Sequence, residues 1–323
     1  MMDLSSLNNK QKEAVLHDKG PLLVVAGAGS GKTRVLTTSI AYLIKEKFVN
    51  PTNILAITFT NKAANEMKER ISDLLNEDVS HLWIGTFHSI CARILRMNIN
   101  KIGFDNNFTI YDTNDQKTLV KEIIKDLNYK DEISPKEALN VISFCKNKSI
   151  SPEEFLNINT FYAKQEEYYK IYKNYEKKKF EYNSLDFDDL ILKTLELFAS
   201  NPETLKYYQD KFVYVYVDEY QDTNKSQYEL IKAIGKLHNN ITVVGDADQS
   251  IYSFRGADIN NILDFEKDFK NAKTIKLEQN YRSTSNIINV ANKLIENNTE
   301  RKDKNLWTSK KDGSEVLYKK SSV

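Results

Sequence analysis

Ala26-Gly27-Ala28-Gly29-Ser30-Gly31-Lys32-Thr33 sets three glycines ahead of a lysine and a hydroxyl, and far downstream Asp218-Glu219 sets two carboxylates side by side. Glycines let backbone amides converge on phosphate oxygens, and a helix starting at such a loop adds the positive end of its dipole. Lys32 can reach β- and γ-phosphates, and Thr33 can ligate Mg²⁺. One carboxylate of the pair can complete a metal site while the other orients water. The chemistry in view is magnesium-dependent hydrolysis of a nucleoside triphosphate. The general phosphate-loop pattern begins with Gly, where this chain has Ala26. A Gly-x-Gly alone would fit an ordinary turn, and an acidic pair alone would fit a surface strand end. The Ser-Gly-Lys-Thr ending and the apolar runs ahead of both features, Leu22–Ala26 and Phe212–Val217, make them a nucleotide site.

The elements that must hold these groups follow from periodicity. Leu22–Ala26, Ile54–Phe59 and Leu82–Thr86 read as strands, with helices over Arg34–Ile44, Lys62–Leu75 and Ser89–Met97. That alternation implies a parallel sheet with crossover helices. It stops near His88 and resumes with strands Phe212–Val217, Ile241–Val244 and Thr274–Leu277, and helices near Ser226–Leu237 and Ile259–Phe269. Between the two halves, apolar residues recur at helical spacing, as in Val120, Ile123, Ile124 and Leu127, with Ser-Pro punctuation at 134–135 and 151–152. The expected fold class is α/β: a P-loop nucleotide-binding domain over 1–89 and 210–277, interrupted by an all-helical insertion over 90–209. Residues 278–323 begin something further.

Hydrophobic residues make up 41% of the 323 and charged residues 28%, which fits a soluble globular protein. A net charge of +1 means that any nucleic-acid contact must come from a local patch. No apolar run approaches a membrane span and the N-terminus has no secretory pattern, so no membrane role and a cytoplasmic location are expected. Cys91 and Cys145 lack metal-ligand spacing and read as buried thiols. Lysines number thirty-nine against seven arginines, and three of the seven, Arg34, Arg255 and Arg282, fall inside motifs.

Those motifs run in a distinctive order. Leu7-Asn-Asn-Lys-Gln11 precedes the first strand, Ala56-Ile-Thr-Phe59-Thr-Asn-Lys-Ala-Ala64 overlaps the second, and Gly85-Thr-Phe-His88 follows the third. Asp186-Phe187-Asp-Asp-Leu190 ends the insertion. Then come Asp218-Glu-Tyr-Gln-Asp-Thr-Asn224, Gly245-Asp-Ala-Asp-Gln249-Ser-Ile-Tyr252-Ser-Phe254-Arg255 and Leu277-Glu-Gln-Asn-Tyr281-Arg282. Over residues 7–307 the chain closely resembles the UvrD/PcrA family of superfamily 1 DNA helicases, whose motor domains are RecA-like. The resemblance implies an ATP-driven motor that moves 3′ to 5′ on single-stranded DNA and unwinds duplex, with ATP and Mg²⁺ as cofactors and single-strand/duplex junctions as partners. By that resemblance Gln11 reads the adenine edge, and Arg34 and Tyr281 flank the base. Lys32 and Thr33 hold phosphate and magnesium, Asp218 sits on the metal, and Glu219 is the general base. Gln249 senses the γ-phosphate, Arg282 is an arginine finger, and Phe59, Phe187, Tyr252, Phe254 and Arg255 line the single-strand path.

The aromatic set is also reasonable physically, because every base has a π-face and stacking grips DNA without reading sequence. Taken singly, each of these rings fits core packing better; only their positions inside motifs favour the path. Phe254 stands where relatives carry Trp, leaving a smaller stacking face. A second γ-phosphate arginine and most of a second motor domain are not represented, so the resemblance implies the N-terminal part of a longer helicase, with feeble hydrolysis by itself and nothing rigid holding Arg282. A competing reading is an ATP-responsive single-strand binding module without turnover. The Asp-Glu-Tyr-Gln and Gly-Asp-Ala-Asp-Gln elements speak against an unrelated P-loop ATPase or kinase, and no nuclease cluster is present.

Overall fold

Six strands of four or five residues form a wholly parallel sheet, and the runs that build it explain why. β1 (Leu22–Ala26), β2 (Ile54–Thr58) and β7 (Ile241–Gly245) are buried at every position, as befits strands covered on both faces. The computed structural model describes residues 2–130, 132–158, 163–253, 256–298 and 301–317; Phe254 and Arg255 lie outside them. In chain order, α1 (Asn9–Val15), β1, α2 (Lys32–Glu46), β2, α3 (Asn61–Leu75), β3 (Trp83–Thr86) and α4 (Phe87–Asn98) come first. Next are β4 (Thr109–Ile110), α5 (Thr113–Asp126), α6 (Pro135–Asn147), α7 (Pro152–Asn157), α8 (Gln165–Glu181), β5 (Ser184–Leu185), α9 (Phe187–Ser200) and α10 (Pro202–Lys211). Last come β6 (Tyr214–Val217), α11 (Lys225–Gly235), β7, α12 (Asn260–Leu263), α13 (Phe265–Asp268), β8 (Lys273–Leu277) and α14 (Ser285–Ile295).

The sheet order is β3-β2-β6-β7-β1-β8. The two-residue alternation of a strand divides the core between its faces. Leu23, Val25, Leu55 and Ile57 pack with residues of α4, α9 and α11 on one side, while Leu22, Val24, Ile54 and Ala56 pack with α2 and α3 on the other. A third core, including Val120, Ile123, Ile142, Cys145, Ile171 and Tyr175, belongs to α5–α8 alone.

Two expectations need correction. The insertion is not all-helical: β4 and β5 pair in parallel, Thr109 with Ser184 and Ile110 with Leu185. Two residues per strand are too few to show a period of two, so no pattern announced them. The helix expected over Ile259–Phe269 is two four-residue helices, because the backbone leaves helical geometry at Asp264 (φ −96°, ψ 5°).

Buried charge joins α6, α8 and α9. Lys146 Nζ lies 2.7 Å from Asp186, 2.5 Å from Asp189 and 2.9 Å from Glu176. Lys179 pairs with the same three carboxylates, and the Tyr175 hydroxyl donates to Asp186 at 2.9 Å. Burial alone would lower the Lys146 pKa, but Asp186, Asp189 and Glu176 outweigh it and hold the ammonium well above its usual range. Asp186 and Asp189 also form the capping box of α9. The cluster therefore fixes the helix end that displays Phe187.

Candidate nucleotide site and nucleic-acid cleft

At Ala26 the chain leaves the sheet, and residues 27–31 turn into α2. Ser30 Oγ donates to the Gly27 carbonyl at 2.7 Å and closes the loop on itself. Gly31 sits at φ +91°, a left-handed conformation, and a Cβ there would meet Gln11 Nε2 at 2.7 Å. Both facts call for glycine. No side chain caps α2, so the amides of its first turn remain available to an anion. The 15-residue helix starts at Lys32, two residues earlier than its periodicity indicated.

Gln11 is buried and holds the loop from the side. Its Oε1 accepts from the Asn8 amide at 3.1 Å, completing the capping box of α1, and its Nε2 donates to the Ser30 carbonyl at 2.9 Å. Asn8 in turn donates to the Tyr281 hydroxyl at 2.8 Å, and Arg34 donates to Ser6 Oγ at 2.6 Å. Gln11, Arg34 and Tyr281 thus meet at one rim of the loop, tied to the same N-terminal segment.

The acidic pair stands at the end of β6. Asp218 is buried, its amide held by the Ile57 carbonyl at 3.0 Å. Glu219 takes a left-handed backbone (φ 50°, ψ 43°), a strained choice for a non-glycine residue of the kind that gathers at functional sites. Lys32 Nζ reaches Glu219 Oε2 at 2.8 Å and lies 3.5 Å from Gln249 Oε1. Gln221 Nε2 donates to the same Glu219 oxygen at 3.0 Å. Burial pushes the Asp218 carboxyl up to about 6, Glu219 adds to this and Lys32 opposes it. Burial and then Glu219 also lift Asp222 to about 6, and Asp222 Oδ1 is buried without a hydrogen-bond partner. A buried carboxylate that makes no ion pair among the described residues, beside an orphaned buried oxygen and an uncapped helix, fits a divalent cation held with phosphate. Thr33 is half-buried in the first turn of that helix.

Arg282 differs from expectation. Its segment is pinned to the phosphate loop: Asn280 Nδ2 donates to the Ala28 carbonyl at 2.6 Å and the Tyr281 amide to the Gly29 carbonyl at 2.9 Å. The Arg282 amide then donates to Asn280 Oδ1 at 2.8 Å. The guanidinium itself is exposed and makes no hydrogen bond or ion pair among the described residues. The backbone is held and the charge is free to turn.

Phe59 and Tyr252 line a cleft of about 900 Å³ together with His88, Asn140, Ser143, Phe144, Lys148, Asp188 and Asn224. Phe59 is half-buried, edge-on to Phe87 at 5.6 Å. Phe187, the first residue of α9, is 52% exposed and stands edge-on to His88 at 6.0 Å. Sequence reasoning did not single out His88, Asn140, Phe144 or Lys148 as site residues. Phe144 and Lys148 are four apart on and just past α6, with Nζ 4.6 Å from the ring centre. That aromatic–cation spacing was a usable signal, diluted by the number of lysines. Asp188 accepts from Ser143 Oγ at 3.0 Å, and burial followed by the Asp186 charge pushes its carboxyl up to about 6. Cys91 and Cys145 are free and buried, their thiols pushed up by burial to about 12 and about 11. No helix of the described residues is long and apolar enough to cross a membrane.

Comparison with known proteins agrees with this geometry. The family model for the UvrD/REP helicase N-terminal domain matches residues 7–270, and that for the UvrD-like helicase C-terminal domain matches residues 275–322. The ATP-dependent DNA helicase PcrA of Bacillus subtilis (strain 168) is 54% identical over 316 residues, which is 98% of this chain and 43% of that protein. PcrA proteins of Staphylococcus epidermidis (strain RP62A) and Staphylococcus aureus (strain Mu50) are 52% and 51% identical, again over 98% of the chain. The chain spans 43% of the length of these curated relatives. With a matching model over most of its length and a phosphate loop, acidic pair and aromatic cleft in one parallel α/β fold, the chain belongs to the UvrD/REP helicase family.

Proposed function

We propose that this chain is the nucleotide-hydrolysing, strand-gripping portion of an ATP-dependent DNA helicase that moves 3′ to 5′ along single-stranded DNA and acts at single-strand/duplex junctions in the cytoplasm. The observation that carries the reading is the convergence of Lys32 on Glu219 and Gln249 beside an uncapped helix N-terminus. We divide the chain into a motor domain (1–89 and 210–277), a helical insertion (90–209) and the start of a second motor domain (278–323). The sheet drawn from both halves and the separate core of α5–α8 support that division.

ATP would lie with its adenine against Gln11, between Arg34 and Tyr281, and its phosphates over residues 26–33. Thr33 and Asp218 would hold Mg²⁺, which screens the phosphate charge. Lys32 is paired with Glu219 in this structure. A γ-phosphate carries more charge than one carboxylate, so it would draw the ammonium away and leave Glu219 Oε2 able to accept a proton from the attacking water. Gln249 would follow the γ-phosphate indirectly, its Oε1 facing the Lys32 ammonium that the phosphate draws, and Arg282 would add cationic charge as the phosphoryl group transfers. Phe59, Phe187, Tyr252, Phe254 and Arg255 would carry the strand by stacking and phosphate contact, without base-edge readout.

The test is fluorescent ATP-analogue binding and DNA-stimulated ATPase on the purified chain, with streptavidin displacement from either end of an oligonucleotide to read polarity. Lys32→Ala should abolish binding or turnover. A variant that keeps both its nucleotide affinity and its turnover would sink the assignment, and displacement from the 3′ end only would refute the stated direction.

A further inference from the structure

Lys304 belongs to none of the motifs, yet its side chain is only 5% exposed and faces two buried carboxylates, Asp246 and Asp248. Its Nζ donates to Asp246 Oδ1 at 2.5 Å and to Asp248 Oδ2. Neither acid has another cationic partner among the described residues.

Asp246 is also what holds Gln249. Gln249 Nε2 donates to Asp246 Oδ2 at 2.5 Å, while its Oε1 faces Lys32 Nζ at 3.5 Å. Gln221 closes a circuit, since its Oε1 accepts from the Asp246 amide at 3.0 Å and its Nε2 donates to Glu219, the partner of Lys32. The circuit residues Lys32, Glu219, Gln221, Asp246 and Gln249 all fall in the N-terminal helicase match, whereas Lys304 comes from the C-terminal match. The segment around Lys304 is tied back to the nucleotide site as well. Leu306 would collide with a Cβ on Gly27 at 2.5 Å. Trp307 bonds through its amide to the Glu278 carbonyl and through its carbonyl to the Asn280 amide, beside Arg282.

We propose that Lys304 is a positioning residue that couples the γ-phosphate end of the nucleotide site to the C-terminal segment. Its ammonium occupies one oxygen of Asp246 and so turns the other towards Gln249. Any shift of Gln249 on phosphate binding then moves Asp246, and through it residues 304–307. Without the ammonium, Asp246 and Asp248 would face each other with no counter-charge, and the connection would be lost. The inference rests on reading Lys32 and Gln249 as nucleotide contacts.

Lys304→Met keeps the aliphatic stem and removes the charge; Lys304→Arg restores a charge. Trp307 reports on the segment, because the only other tryptophan, Trp83, is buried. The experiment compares fluorescent ATP-analogue affinity and acrylamide quenching of Trp307, with and without a non-hydrolysable ATP analogue and Mg²⁺. In the unsubstituted chain and in Lys304→Arg, nucleotide should change the quenching. In Lys304→Met it should not, while affinity stays within about threefold and turnover falls about tenfold at unchanged KM for ATP. A Lys304→Met chain that keeps the nucleotide-dependent quenching change overturns the proposal. So does an unsubstituted chain that binds nucleotide with no response at Trp307, or a Lys304→Met chain that loses binding and melts early without rescue by Arg. Failure of the unsubstituted chain to bind nucleotide would overturn the nucleotide-site reading and this inference with it.

Discussion

Two clusters of charge in this molecule are alike in content and opposite in design. In the helical insertion, Lys146 and Lys179 are enclosed with Glu176, Asp186 and Asp189, and both ammoniums contact all three carboxylates. At the strand ends and among the described residues, Lys32 pairs with one carboxylate, Glu219, Asp218 makes no ion pair, and Asp222 keeps a buried oxygen without a hydrogen-bond partner. The first arrangement has little left to offer a ligand. The second leaves negative charge incompletely answered and a helix end uncapped. A finished cluster holds helices in place, and an unfinished one waits for magnesium and phosphate. The clusters differ by a single ammonium; what separates them is that every carboxylate of the first has a cation, while Asp218 and Asp222 of the second have none among the described residues.

The largest effect that could break this contrast lies at the strand ends. Glu219→Gln should lower ATP turnover by about 10²–10⁴-fold, the usual contribution of a general base, while nucleotide affinity and the melting temperature stay close to those of the parent chain. A turnover loss matched by an equal affinity loss would place Glu219 among the binding groups instead. In the sealed cluster the same kind of change should act on folding. Lys179→Met leaves two buried carboxylates and the half-buried Glu176 facing one ammonium, and urea unfolding should show a loss of about 3–5 kcal/mol. A loss below about 1 kcal/mol would mean that the cluster is no more structural than a surface pair.

Acidity sharpens the comparison further. The folded Asp218 carboxyl at about 6 lies above the ordinary value of 3.8. Between those values the unfolded chain releases the proton while the folded chain keeps it, so stability falls as pH rises through that window. Above about pH 6 the penalty is constant. Asp218→Asn should therefore stabilise the chain at pH 7.5 by at most about 3 kcal/mol, a gain that shrinks towards pH 4.5. Melting curves at several pH values check this, and a gain independent of pH would show that the charge is not its origin. The smallest effect is expected at the cleft. Phe187→Ala should weaken single-stranded oligonucleotides of any sequence by about 1–3 kcal/mol, leaving unfolding unchanged because the ring is half-exposed. Sequence-dependent losses in fluorescence anisotropy titrations would contradict stacking.

What could be read from the chain alone was what is local. β1 and α3 are legible because a few neighbouring residues carry their pattern, and the phosphate loop because its glycines, Lys32 and Thr33 are contiguous. The places of Gln11, Arg34 and Tyr281 came through family resemblance only, since the contact from Asn8 to Tyr281 spans 273 positions. Lys146, Lys179 and Lys304 are three among thirty-nine lysines. Little in their immediate surroundings marks them as buried, because apart from Glu176, three residues before Lys179 on α8, the carboxylates that permit burial arrive from other elements. Arg282 was expected to be unsupported for the same reason: its anchors, the Ala28 and Gly29 carbonyls, lie at the far end of the chain.

The position of β1 in the sheet has a consequence for how the protein is made. Its neighbours are β7 and β8, with Leu22 beside Thr242 and Lys273. At ~5–20 residues per second, a ribosome needs on the order of 10–50 s to supply the about 250 residues that separate β1 from β8. For most of that interval, until Asp218-Glu219 and then β7 follow, a fully apolar strand is in place without either partner, attached to a phosphate loop that lacks its carboxylates. Nascent chains shorter than about 280 residues should therefore neither bind nucleotide nor resist proteolysis near Leu22, and both properties should arrive together as the last strand docks.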